Sequence, residues 1–488
     1  MVARRLRLPA LERREALFAV TAMAVTAVLA IAGVHKFGTV GLLAPIALAA
    51  VAILLFRPLL AVCLVVGLTI VCEGETFGIL TFTSDFYVHV YKYVTLLDLM
   101  VAVAVLAVAI DVMRSRRGLW LPGPLKPALV LLPLAMLVGA VVGHAAGASI
   151  RFALGSEDVL FYLLLLPLAV GNLELDTRRL TKLLAGMGAL ATLKAVLGLI
   201  EVAGHYGAQI EGTATLTYYE PTANWLILIA MLTVLAAVLM RARPPLWMTL
   251  STPLLFACLL LSYRRSFWIA AALGILLVLM FGASAAGRRV LVLAVTGVAL
   301  TIWLLGSINF QSQLPIVKRA ASLVPSRLEA NLEDRYRLDE RANVLGEIRR
   351  HPVMGLGVTV PWAATVQPLS VEHEEGREYV HFAALWYWLK LGILGLFAYV
   401  AVIAGSMAIA WKAWRAAPKP LLRAFGLASL AGMAGLVAMD TTASFTGVDP
   451  RFTVLFATQV GLLAQLAFRS DGRATPTDGP QRRLAGGP

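Results

Sequence analysis

The stretch TPLLFACLLLSYRRSFWIAAALGILLVLMFG, residues 252–282, sets two apolar runs on either side of an arginine pair, Arg264 and Arg265. A bilayer core about 30 Å thick takes roughly 20 helical residues to cross. The stretch therefore reads as two membrane helices folded back through a short charged turn. Lipid offers no partner to backbone N–H and C=O groups, and the runs lack the period-two alternation of barrel strands, so the crossings are helical. Similar runs recur along nearly the whole chain of 488 residues, which is 59% apolar and 14% charged with a mean hydropathy of +0.81. That composition excludes an ordinary soluble domain. The expected fold is all-α: a polytopic membrane helix bundle of about 12–14 transmembrane helices, with one long extracytoplasmic loop containing amphipathic helices.

The runs fall near 16–34, 38–56, 58–73, 91–113, 127–143, 152–171, 180–203, 221–240, 246–262, 267–283, 290–306, 380–411, 424–440 and 452–468. They divide the chain into an N-terminal membrane region (1–306), a loop (307–379), a C-terminal membrane region (380–468) and a polar tail (469–488) expected to be disordered. The run at 16–34 has no clean small-residue cleavage site and reads as a first membrane helix that stays attached. If the N-terminus is cytoplasmic, the N-terminal arm, the inside links and the tail hold 25 of the 42 Lys and Arg residues. The short outside links then hold only Lys36, Lys92, Arg151, Arg264, Arg265 and Arg451. The positive-inside bias thus puts both termini in the cytoplasm, in a cytoplasmic (inner) membrane, and Arg264 and Arg265 outside. Either they snorkel to outer headgroups and end a helix, or they bind an anion.

The net charge of +14 lies mostly in these links, where it orients the protein, so nucleic acid is set aside as a partner. Cys63, Cys72 and Cys258 fall within spans without metal-ligand spacing and read as packing residues. No Walker A, GxGxxG, HExxH or GxSxG pattern occurs. Ionisable residues inside spans are costly. Asp98, Glu157, Asp158, Lys194, Glu201 and Asp440 map to the outer halves of their helices, and Lys390 lies about ten residues, roughly 15 Å, below the outer end of its own. This bias favours a site that opens outwards; Lys194 and Glu201 serve equally as a buried ion pair that orients helices.

The loop is charged and helix-favouring over LVPSRLEANLEDRYRLDERANVLGEIRRHPVMGLG, with Leu328, Leu332, Leu338, Val344, Leu345 and Ile348 suited to one or two amphipathic helices against the outer rim. His351-Pro352 stops the helix, and Gly355 and Gly357 permit a tight turn. Three outer elements are candidates to meet: the arginine turn, the arm with Arg335, Arg337 and Arg341, and EYVHFAALWYWLKLGILGL with His381. Several arginines and a histidine at an aromatic-rich interface suit binding of an anionic diphosphate and removal of a hydroxyl proton. Tyr218, Tyr219, Trp362, Trp386 and Trp388 suit stacking on sugar rings, or simply mark the interface.

SYRRSFW (262–268) resembles a Ser-x-Ser-Arg-Gly turn, HPVMGLG (351–357) a Pro-x-x-Gly-x-Gly loop closure, and HFAALWYWLKLGILGL (381–396) a His-Asn-x-x-Leu segment ending Gly-x-x-Gly. These motifs, in this order, resemble those of the O-antigen ligase and O-antigen polymerase superfamily over about residues 260 to 400; EGTATLTYYEPTANW (211–225) is a weaker echo. The resemblance implies a membrane glycosyltransferase that takes a glycan from an undecaprenyl-diphosphate carrier at the outer face. The acceptor is a glycan, lipid or protein, and neither cofactor nor metal is used. It makes Arg265 and Arg337 the diphosphate-binding cations and His381 the base; Arg264, which has no clear family counterpart, and Arg341 are candidates for further phosphate contacts, and Tyr218, Tyr219, Trp386 and Lys194 are substrate-binding candidates. Nearby arginines would keep the His381 ring neutral. Phe382 stands where Asn is usual, Lys390 where an acid is common and Gln209 where some members carry Arg. Two readings compete with a transferase: a transporter or flippase of lipid-linked oligosaccharide, and a scaffold whose loop docks a partner.

Overall fold

A computed structural model describes residues 43–72, 86–87, 89–91, 94–149, 158–204, 221–262, 264–283, 332–369 and 376–468. Its helices begin where the sequence supplies terminal partners. Pro58 opens α2 (Pro58–Val71) and Pro420 opens α12 (Pro420–Met439), at a position where a missing N–H costs nothing. Asp449 accepts from the Arg451 and Phe452 amides at 2.9 and 3.0 Å and caps α13 (Pro450–Phe468). Thr95 and Asp98 form a reciprocal capping box at α3 (Leu96–Arg114). The span expected from residue 91 therefore starts later. A two-stranded antiparallel ribbon, β1 (His89–Tyr91) and β2 (Val94–Thr95), precedes it.

The remaining helices are α1 (Leu43–Leu55), α4 (Lys126–Ala145), α5 (Asp158–Asn172), α6 (Thr177–Gly204), α7 (Pro221–Leu239), α8 (Leu246–Leu261), α9 (Arg265–Gly282), α10 (Leu332–Arg350) and α11 (Ala383–Ala416). Apart from α10, each matches an expected span; the spans at 16–34 and 290–306 lie outside the described residues. Eight of these helical segments are long and apolar enough to cross a membrane, and α2, α5 and α8 are shorter apolar helices. The protein is an all-α, multi-pass membrane bundle.

α7, α12 and α13 form its interior, and side-chain amides tie them together. Trp225 Nε1 donates to Gln459 Oε1 at 3.0 Å, and Gln459 Nε2 donates to Ser429 Oγ at 2.8 Å. Gln465 Nε2 reaches the Val170 and Gly171 carbonyls of α5, both at 3.0 Å.

The feature that sets the site is a break in α11. Gly392 adopts φ 69° and ψ −167°, so the helix loses its own hydrogen bonds there. The turn after α10 supplies replacements: Leu356 N–H donates to the Leu389 carbonyl at 2.6 Å and Ile393 N–H to the Val353 carbonyl at 3.0 Å. Irregular backbone inside a membrane bundle needs such protein partners. Beyond the turn, Val358 N–H donates to the Gly139 carbonyl of α4 at 3.1 Å, and Lys390 Nζ donates to the Val360 carbonyl. The long loop is thus plugged into the bundle between α4 and α11.

Candidate functional site

The site is built on α10. Residues three and four apart share a helix face, and here that face carries Tyr336, Glu340, Asn343, Val344, Glu347 and Ile348, all buried. Of the apolar positions expected to face the bundle, Val344 and Ile348 are buried and Leu338 is 43% exposed, and Asp334 and Glu340 are buried beside them with ionic partners from other elements. Buried charge requires such pairing. Residues 307–331 lie outside the described residues, so one loop helix is described.

Arg265, in the first turn of α9, donates through Nη2 to Asp334 Oδ1. Arg337 Nη1 lies 3.7 Å from the same oxygen. The carboxylate therefore brings together the two guanidinium groups singled out in the sequence. Arg265 is 9% exposed, so its charge sits in a largely dry environment where electrostatic interactions are stronger than in water.

Three residues along α10 from Arg337, Glu340 is fully buried and accepts from two groups of His381. These are the backbone N–H at 3.1 Å and the ring Nδ1–H, at 3.2 and 3.1 Å from the two carboxylate oxygens. The proton on Nδ1 is assigned from this geometry, since an ionised carboxylate only accepts. Tyr379 and Tyr336 stand edge-on to the imidazole, with centroids 4.9 and 5.9 Å away. With Nδ1 committed to Glu340, proton exchange with a substrate falls to Nε2. The ring pairs with a carboxylate, and an arginine, Arg341, stands over the Phe382 ring next to it.

The backbone around His381 is fixed from two sides. Trp362 Nε1 donates to the Tyr379 carbonyl at 3.0 Å, and Ser444 Oγ donates to the Val380 carbonyl at 2.6 Å. Ala383 N–H donates to the Asp440 carbonyl at 3.0 Å. Asp440 itself accepts from Tyr399 Oη at 2.9 Å and Thr446 Oγ1 at 3.1 Å, which organises the 440–449 turn. Phe445 of that turn packs on Phe267, at 5.9 Å between centroids, and under the Arg264 guanidinium, 5.8 Å away. One turn therefore buttresses both the arginine corner and the histidine segment.

Arg341 is exposed, its guanidinium 5.9 Å from the Phe382 ring beside His381. Arg335 is exposed as well. Trp386 is buried one turn into α11, against Tyr387. Lys194 is buried on α6, where Nζ donates to the Val71 carbonyl of α2 at 3.3 Å. Asp98 serves its helix cap and also accepts from Tyr162 Oη. Tyr218, Tyr219, Gln209, Glu157 and the acidic run Glu372, Glu374 and Glu375 with His373 lie outside the described residues, and nothing is described of the Asp158 and Glu201 side chains. Among the described residues no group of three or more His, Cys, Asp or Glu side chains is placed to share a metal ion.

Asp334, Tyr336, Glu340 and Tyr379 are the site residues that the sequence reading passed over. Their signal was spacing: Tyr336 and Glu340 are four apart, and Asp334 and Arg337 three apart, on a helix already recognised as charged.

Residues 250–400 match the family model described as O-antigen ligase, a range that contains the arginine turn, α10, the plugged loop and the start of α11. Over that range, about a third of the chain, the protein is similar to the O-antigen ligase family. No curated protein matches the chain. Proteins of that family are glycosyltransferases of the ligase or polymerase kind, and the described polar cluster with Arg265, Asp334, Arg337, Glu340 and His381 falls entirely inside the matched range.

Proposed function

We propose that this protein transfers a glycan from a polyprenyl-diphosphate carrier, undecaprenyl diphosphate, to an acceptor hydroxyl at the outer face of the cytoplasmic membrane. The observation that carries this reading is that one buried helix face, α10, gathers Arg265 and Arg337 around Asp334 and seats His381 on Glu340. A pair of guanidinium groups and an oriented imidazole are the parts such a transfer needs.

In the proposed step the acceptor hydroxyl gives its proton to His381 Nε2 while its oxygen forms a bond to the anomeric carbon. The bond from that carbon to the carrier's phosphate oxygen breaks, and its electron pair stays on the diphosphate. Negative charge grows on that oxygen, where Arg265 and Arg337 stabilise it without rearrangement. Glu340 holds the Nδ1 proton and balances the positive charge the ring acquires, the role of the third member in a nucleophile–base–carboxylate arrangement. The proton on Nε2 then passes to the departing diphosphate or to solvent.

An outward site with both termini in the cytoplasm is supported by charge. Arg57, Arg116, Arg117, Arg178, Arg179, Arg241, Arg243, Lys419 and Arg423 cluster at helix ends away from the Arg265 turn. The acceptor is a glycan, a lipid or a protein surface.

Purified protein given labelled undecaprenyl-diphosphate glycan and candidate acceptors is expected to release undecaprenyl diphosphate without ATP. His381→Ala and Arg265→Lys are expected to stop release; Arg265→Lys should melt close to wild type, since the lysine keeps the charge that Asp334 needs but loses the guanidinium fork, whereas His381→Ala should melt earlier because buried Glu340 loses its ring partner. Turnover retained in His381→Ala removes it as base. Donor left intact with every acceptor, but moved across vesicle membranes, turns the reading towards transport.

A further inference from the structure

Asp334 stands where a phosphate oxygen is wanted. Its Oδ1 accepts from Arg265 and lies 3.7 Å from Arg337 Nη1, between the two cations assigned above to the donor. The residue is 7% exposed, and its other oxygen, Oδ2, is buried with no hydrogen-bond partner among the described residues. One carboxylate oxygen is thus shared by two guanidinium groups while the second bears the desolvation of burial with nothing in return. A carboxylate is a poor match for this seat. A diphosphate brings more acceptor oxygens and more charge, and each guanidinium can grip it through two parallel hydrogen bonds.

We infer that Asp334 is the resident anion of the Arg265–Arg337 seat: it holds the two guanidinium groups together until the donor arrives, and the donor's diphosphate displaces it. The inference rests on the diphosphate reading of the site. It makes Asp334 a specificity-determining residue, because any incoming anion has to outcompete an intramolecular carboxylate of unit charge. A singly charged phospholipid headgroup exchanges like for like and gains little. A diphosphate exchanges one charge for at least two and loads. No covalent bond changes in this exchange; carboxylate–guanidinium contacts give way to phosphate–guanidinium contacts.

The test is equilibrium binding of farnesyl diphosphate, a short polyprenyl diphosphate, to the full-length protein in detergent, comparing wild type with Asp334→Asn, Asp334→Ser and Asp334→Glu. With the competing charge removed, the Asn and Ser variants are expected to bind at least about tenfold tighter, the scale of one close charge pair in a partly dry site. Asp334→Glu keeps the competitor and should stay within about threefold of wild type. Melting temperatures identify the variants that remain folded; should Asn disturb the fold, the smaller Ser is read in its place. Unchanged or weaker binding by a folded neutral variant overturns the inference and leaves Asp334 as an organiser of the arginines. Equal binding by wild type and neutral variants sinks this inference alone. Failure of all of them to bind farnesyl diphosphate sinks the diphosphate reading with it.

Discussion

Substituting Gly392 by Ala tests whether the loop is held by its plug into α11. At φ 69° and ψ −167° the glycine occupies backbone space that L-residues enter at a cost of about 1–3 kcal/mol. An added Cβ would also lie 2.2 Å from the Val353 carbonyl oxygen and 2.8 Å from the Met354 carbonyl carbon, both backbone atoms that cannot swing aside. Relief requires the turn to withdraw, which breaks the bonds Leu356 N–H to Leu389 O, 2.6 Å, and Ile393 N–H to Val353 O, 3.0 Å. Each is worth about 0.5–1.5 kcal/mol net, and more if a group stays buried without a partner. The sum is about 2–6 kcal/mol, a large part of the about 5–15 kcal/mol that holds a typical protein folded. Gly186 on α6 is the control, since an added Cβ there meets nothing within 4 Å and Ala gains about 1 kcal/mol in helix propensity. Thermal unfolding in detergent and protease sensitivity around residues 351–357 report the outcome. Gly392→Ala should melt earlier and be cut faster, and Gly186→Ala should not. A Gly392→Ala protein as stable and as protected as wild type would show that the plug does not anchor the loop.

Two further outcomes are expected. Glu340→Gln keeps the size of the His381 partner but removes its charge, so kcat should fall about 10²-fold or more with the donor KM little changed, and Glu340→Asp should recover part of the loss; parallel losses in kcat and KM would mean Glu340 shapes the pocket and does not support the base. Arg265→Ala strands a buried carboxylate at Asp334, a situation that costs about 3–5 kcal/mol, so the double change Arg265→Ala with Asp334→Ala should recover much of the lost melting temperature without recovering turnover. A double variant no more stable than Arg265→Ala would dissolve the coupling between them.

Much of the fold was legible because lipid imposes one rule on every span. Apolar runs of sufficient length had to become helices, and each described span did so, down to an unanticipated ribbon at residues 89–95 where short-range capping by Thr95 and Asp98 moved a helix start. The site was legible in part. A charged turn at a membrane surface drew attention to Arg265, and the family resemblance then singled out Arg337 and His381. Asp334 and Glu340 stayed hidden because an acid on a charged extramembrane helix looks like a solvated face until the partner that buries it is known. The same holds for Gly392, whose Gly-x-x-Gly setting was visible while the reason for it, a turn from some forty residues earlier threading into the gap, depends on contacts between distant segments. Lys390, which stood out as the deepest charge, proves to serve that same junction by donating to the Val360 carbonyl.

These hidden acids also explain how the site assembles. α10 offers a face with Asp334, Glu340, Asn343 and Glu347, which water would solvate well, so apolar burial alone gives it little reason to dock. Docking becomes favourable as His381 meets Glu340, the 366–367 backbone amides meet Asn343 Oδ1 at 2.8 and 3.1 Å, and Arg265 meets Asp334 until the donor takes that seat. Each partner comes from a different segment. Bringing α10 down therefore completes the arginine seat and orients the imidazole in the same movement, and any undocked state loses both at once. A catalytic arrangement that exists only in the docked state is protected from half-formed versions of itself, because the pairings that would activate the site are the ones that hold the helix in place.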